Sequence, residues 1–162
     1  MRLTSRTQYG VRALYDLAFH SRGQATQAKE IAERQGIPLR YLEQIMQDLK
    51  RAGILEAKRG PRGGYALARA AGDIRLGEIL RALRGGLEDL FALDGVAPLP
   101  RRTAARRAAA LPGDDDIPAL VWRDVVARLV DVLESVTLQD FVDRAESAGV
   151  RRAVALPQMF YI

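Results

Sequence analysis

The sequence predicts a mainly α fold with a small β-hairpin wing: a winged helix-turn-helix domain followed by a long helix suited to dimerisation. Three observations predict it. Three apolar-striped helical segments fall within the first fifty or so residues, with a glycine and a proline between the second and third. Two short alternating segments follow, joined by the basic, glycine-rich turn Arg59-Gly60-Pro61-Arg62-Gly63-Gly64. Farther along, another helical segment carries an apolar stripe wider than one small domain needs.

The first helix is read over residues 5–20, with Val11, Leu14, Tyr15, Ala18 and Phe19 on one face and Thr4 or Ser5 as its cap. After a polar turn, Thr26 is expected to cap a short second helix that turns Ala28, Ile31 and Ala32 inward. Gly36 then supplies a left-handed stop, and Pro38 pre-sets the first turn of the third helix. That helix should bury Leu42, Ile45, Met46 and Leu49, leaving Arg40, Glu43, Gln44, Gln47 and Arg51 on the other side. Strands are expected over 54–58 and 64–68, and a short helix over 76–83 with Leu76, Ile79, Leu80 and Leu83 on one face.

Residues 85–116 are rich in breakers and form a connecting segment. Asp114-Asp115-Asp116 suits a helix start, where acidic groups meet the positive end of the dipole; a metal-binding carboxylate cluster is the less favoured reading. The stripe Val121, Val125, Leu129, Val132, Leu133 and Val136 marks the long helix and its dimer face, with Trp122 packing there or on the first domain. Thr137-Leu138-Gln139-Asp140 resembles a capping box for a last helix ending near Gly149. The expected organisation is a domain over 1–84, the connection over 85–116, dimerisation helices over 117–150 and a tail over 151–162.

Composition narrows the function. A net charge of +5 suits a polyanionic partner. With no cysteine and only His20, disulfides, thiolate catalysis, cysteine-held clusters and a histidine-rich zinc site are excluded, and no cofactor is expected. No phosphate-binding glycine loop or carboxylate dyad suggests an enzyme. His20, at a helix end, is expected to act as a cation or capping donor. No apolar run could span a bilayer and the first residues lack a signal-peptide pattern, so a cytoplasmic location is expected. The third helix could present hydrogen-bonding side chains to base edges in a major groove, and the tip, with Arg59 and Arg62, could enter a minor groove or clamp phosphate. Its glycines permit close backbone approach. The Arg101 to Arg107 cluster is read as a solvated segment.

These blocks resemble the IscR/CymR family of bacterial transcription regulators. Residues 1–6 look like its N-terminal signature, 30–38 with Tyr41-Leu42-Glu43-Gln44 like its helix-turn-helix, and Arg59-Gly60 through Gly63-Gly64-Tyr65 like its wing. Trp122-Arg123-Asp124 with Thr137-Leu138 resembles its long dimer helix and exit. The resemblance implies operator DNA and a second copy of the chain as partners. It implies a DNA-binding set of Thr4, Ser5, Arg40, Tyr41, Glu43, Gln44, Gln47, Lys58, Arg59, Arg62, Gly63 and Gly64. Tyr41 either stacks on sugar or packs beneath the helix. Many relatives hold an iron–sulfur cluster on three cysteines. Here residues 92–116 contain neither cysteine nor histidine, so no cluster and no direct redox sensing are expected.

The ending Met159-Phe160-Tyr161-Ile162 resembles the tail of the family's cluster-free CymR branch, repressors of cysteine and sulfur metabolism genes that pair with cysteine synthase (O-acetylserine sulfhydrylase). By that resemblance the terminal carboxylate would occupy the place of the substrate's carboxylate, and residues 151–155 would serve as a flexible arm. The alternative is a family regulator that senses another small molecule, its Phe160 and Tyr161 folded onto its own core.

Overall fold

A computed structural model describes residues 4–22, 24–60, 63–84 and 117–153. Arg62, the connection over 85–116 with its arginine cluster and Asp114 to Asp116, and the residues of the tail from 154 onward lie outside the described residues. The order is α1 (Ser5–Phe19), α2 (Ala28–Gln35), α3 (Leu39–Arg51), β1 (Leu55–Lys58), β2 (Gly64–Leu67), a 3-10 turn (Ala71–Asp73), α4 (Leu76–Arg84), α5 (Ile117–Ser135) and α6 (Leu138–Ser147). It is a mainly helical winged fold, as the patterning predicts.

Helix α1 is the axis of the molecule and packs against α2, α3, α4 and α6. Thr4 caps it, its side chain accepting from the Thr7 N–H. Leu14 and Leu17 of α1, Ile31 of α2, Leu42, Ile45, Met46 and Leu49 of α3, and Ile79 and Leu83 of α4 share one buried core. Gly10 is buried where α1 meets α4, and a Cβ there would collide with Leu83.

The turn between α2 and α3 follows the sequence closely. Gly36 adopts the left-handed conformation at φ 61°, and its N–H closes on the carbonyls of Ala32 and Glu33. Pro38 is the N-cap of α3. The start of α2 differs: Gln27, not Thr26, stands at its N-cap. Thr26 instead pairs with Tyr65 of β2, donating its N–H at 2.9 Å and accepting at 2.8 Å, so its backbone is spent on the wing.

Asp16 of α1 is fully buried. Arg34 of α2 grips it through Nη2 at 2.7 Å and Nε at 3.1 and 3.3 Å, and the Gln35 amide donates to it at 2.9 Å. The carboxylate raises the guanidinium's pKa through this hydrogen bonding, burial opposing it. The pair sets the distance of α2 from α1.

The last helix returns to this core. The Thr137 side chain accepts from Asp140 N–H while the Thr137 N–H donates to the Asp140 carboxylate at 2.6 Å, the expected capping box. Those bonds to Thr137 hold the Asp140 carboxyl below its ordinary range. Leu138 is buried with the α1–α4 core, and Val142 and Ala145 cover Phe19.

His20 departs from expectation. Burial pushes its pKa below the ordinary histidine value, and its Nδ1 accepts the Ala153 N–H at 2.8 Å. An unprotonated nitrogen is required there, so His20 is an acceptor rather than a helix-end cation. Arg152 lies over the Phe19 ring at 4.7 Å, donates to the Phe19 carbonyl at 2.8 Å and pairs with Glu146. Arg152 and Ala153, read from the sequence as part of a flexible arm, are therefore fastened to α1 and α6, and residues 154–155 of that arm lie outside the described residues.

Arg34→Met should strand the Asp16 carboxylate with only Gln35 as partner, costing about 3 kcal/mol in urea unfolding. Adding Asp16→Leu should recover part of that loss; a double variant as unstable as the sum of the two single variants would show that the pair contributes nothing jointly.

Candidate nucleic-acid interface

Helix α3 is strongly two-faced. Leu42, Ile45 and Met46 have no exposed area, whereas Arg40, Glu43, Gln44, Gln47 and Arg51 are all exposed, as the 3.6-residue period requires. The structure thus brings four of the expected contact residues, Arg40, Glu43, Gln44 and Gln47, to one open helix face.

Tyr41 is half-buried at the edge of that face. Its ring meets Tyr9 of α1 edge-on at a centroid distance of 5.8 Å and packs against the core. Of the two sequence readings, packing beneath the helix describes its contacts in the free chain. A second tie from α1 is the ion pair of Arg6 with Asp48, and Arg51 reaches the same carboxylate at 2.9 Å. The two ties place the exposed Thr4 and Ser5, at the N-terminus of α1, beside α3. Arg6 was not among the expected site residues; its spacing from Asp48 offers no sequence signal.

The wing is an antiparallel hairpin in the register Leu55↔Leu67, Glu56↔Ala66, Ala57↔Tyr65 and Lys58↔Gly64. Leu55 and Ala66 are buried, while Lys58 and Arg59 project. Lys58 pairs with Glu56 at 3.2 Å, so part of its charge is compensated before any partner arrives. At the tip, Gly60 has φ 111° and its carbonyl accepts the Gly63 N–H at 2.8 Å. Gly64 touches the Thr26 backbone so closely that a Cβ would collide with it, which fixes the hairpin's base against the strand-like approach to α2. Gly63 and Gly64 thus have a structural duty of their own.

The stripe assigned to the long helix is divided. Val121, Val125, Leu129 and Val132 of α5 are exposed, with Ile117 and Trp122 beside them. Leu133 instead packs with Val130 and Leu76 around buried Leu80 of α4. Val136 lies past the helix end, where its carbonyl accepts the Leu76 N–H at 2.8 Å. Within the chain, Leu133 and the Val136 carbonyl tie α5 to α4, while the other four residues of the expected dimer face stay open. Arg81 and Arg75 of the α4 side also bond to the carboxylate and carbonyl of Glu134.

An exposed polar helix face beside a basic hairpin, on a three-helix core, defines a winged helix-turn-helix transcription regulator. A family model described as "Rrf2: Iron-dependent Transcriptional regulator" matches residues 3–144, and the chain belongs to the Rrf2 family. It is 35% identical over 150 residues to the transcriptional regulator IscR of Pectobacterium carotovorum, covering 93% of this chain and 84% of that protein. It is 41% identical over 147 residues to slr0846 of Synechocystis sp., named as a regulator of the helix-turn-helix type, with 91% of each covered. Among solved structures, IscR of T. potens matches with a TM-score of 0.68 and 32% identity over 94% of both chains. CymR, the global cysteine regulator of B. subtilis, matches with a TM-score of 0.65 and 28% identity, over 89% of this chain and 98% of that one.

The family description names iron, and the residues present do not fit a thiolate-held cluster. The sequence contains no cysteine, and the Nδ1 of its one histidine, His20, is engaged by the Ala153 N–H. Among the described residues no group of three or more His, Asp or Glu side chains could hold a metal ion, and no helix is long and apolar enough to cross a membrane.

Proposed function

We propose that this chain is a cytoplasmic repressor that binds operator DNA as a two-fold homodimer. The observation that carries the reading is the open polar face of α3 next to the projecting basic hairpin. In this reading Arg40, Glu43, Gln44 and Gln47 read base edges in the major groove, with Tyr41 at the margin. Arg59 and Arg62 enter the minor groove flanked by Lys58, and Gly63 and Gly64 keep the backbone close to the sugar-phosphate chain. Thr4 and Ser5 approach phosphate beside the end of α1.

The dimer reading rests on Val121, Val125, Leu129 and Val132, which remain exposed on the described chain. Four aliphatic side chains in one strip on a helix are costly to leave in water, and a self-complementary pairing about a two-fold covers them twice over. Such a pairing would set two α3 helices about 34–36 Å apart, one turn of DNA. Val125→Asp with Leu129→Asp should yield monomers by sedimentation and lose operator affinity; a variant that remains dimeric would move the interface elsewhere. In operator titrations Arg59→Ala should weaken all sequences and flatten the salt dependence. Glu43→Ala and Gln44→Ala should alter which bases are preferred, at about 1–3 kcal/mol per lost contact. Equal losses on specific and random DNA would sink the assignment of α3.

We further infer that the regulated genes belong to cysteine and sulfur metabolism and that Met159, Phe160, Tyr161 and Ile162 dock in cysteine synthase. Support comes from the absence of cysteine ligands for a cluster, the likeness to a cysteine regulator, and the apolar character of Met159, Phe160, Tyr161 and Ile162. A second reading, a regulator of another signal whose tail lies on its own core, is favoured by the fastening of Arg152 and Ala153 to α1. Calorimetry with the matching synthase separates them. Docking predicts that deletion of Ile162 abolishes binding and leaves the dimer intact, and that O-acetylserine displaces the regulator. Binding indifferent to both would favour the second reading.

A further inference from the structure

Gln47 and Tyr65 lie on different elements, one on the exposed face of α3 and the other on β2 of the wing, yet their side chains meet. The Gln47 amide donates to the Tyr65 hydroxyl at 3.0 Å. Tyr65 is itself held from both sides. Its backbone exchanges two hydrogen bonds with Thr26 at 2.8 and 2.9 Å, its neighbour Gly64 abuts the same residue, and its ring packs on the core formed by α1, α3 and α4. The hydroxyl is therefore a fixed point, while Gln47, a long side chain on an exposed helix face, would otherwise sample many rotamers.

We propose that Tyr65 is a positioning residue for base recognition: its hydroxyl takes one amide hydrogen of Gln47 and so holds the amide with its oxygen and second N–H directed together at a base edge. The inference rests on the reading of α3 as the helix that enters the major groove. The amide nitrogen carries two hydrogens, so with one committed to Tyr65 the other N–H and the oxygen remain as an adjacent donor and acceptor. That pair matches adenine, the oxygen accepting from the N6 amino group and the N–H donating to N7. Gln47 then prefers adenine at its position on the contacted strand. The bond also joins wing to helix, so that the hairpin's seating influences what α3 reads.

The test is a binding-site selection from a randomised operator library, with the full-length protein, comparing wild type with Gln47→Ala, Tyr65→Phe and the double variant. Tyr65→Phe keeps the packed ring and removes only the hydroxyl. The expected result is that Gln47→Ala flattens preference at one base pair per half-site by several-fold. Tyr65→Phe should weaken the preference for adenine at that same base pair several-fold, as the released amide samples other orientations, and the double variant should match Gln47→Ala. A Tyr65→Phe profile identical to wild type, or one weakened evenly at every position, overturns the proposal. Should Gln47→Ala leave the profile unchanged while Glu43→Ala changes it, Gln47 is no reader and the proposal falls with the α3 assignment intact. Should none of the α3 variants change it, that assignment itself fails.

Discussion

A carboxylate shut away from water, Asp16, has to be met by the chain around it, and the way it is met decides where the helix-turn-helix stands. An isolated buried charge is prohibitively costly, so α2 cannot occupy any position in which Arg34 and Gln35 fail to reach α1. Once α2 is placed, the left-handed turn at Gly36 leads directly into α3, whose apolar side closes the same core. Hydrophobic burial alone would tolerate sliding and rotation of such short helices. The directional bonds to Asp16 remove that freedom, and α2 has only eight residues with which to resist it.

The wing is placed by backbone rather than side chains. Thr26 and Tyr65 form a short bridge ahead of α2, and Gly64 leaves no room between them. A two-stranded hairpin is marginal by itself. Here it gains a third strand-like neighbour and the buried contacts of Leu55 and Ala66. At the other side of the domain, Leu76, Leu80, Val130 and Leu133 join α4 to α5, so the exposed strip of α5 is carried by the same body as α3.

Local signals in the sequence were enough to read the helices and the hairpin. The stripe Leu42, Ile45, Met46 and Leu49, the stop at Gly36 and the capping box at Thr137 each act within a turn or two of chain, and such signals survive in one dimension. The exposed face of α3 was legible for the same reason. What could not be read was decided by distant partners. Thr26 looks like a helix cap until β2 claims its backbone. Leu133 shares a helical stripe with Leu129 but turns toward Leu80, because helical spacing defines a broad apolar arc and not the boundary at which one neighbour gives way to another. His20 became an acceptor because Ala153, far along the chain, arrives beside it. Tyr65 betrays its link to Gln47 in no periodicity at all.

The fastening of Ala153 to His20 has a geometric consequence. Helix α1 has 15 residues, which at about 1.5 Å per residue spans roughly 22 Å. Thr4 and Ser5 stand at one pole, and the last described residues are moored at the other. Ala153 thus sits on the side of the domain remote from the end of α1 that carries Thr4 and Ser5. The helix is a strut with two unlike footings: Arg6 braces one end against α3, and Phe19 seats the other on α6.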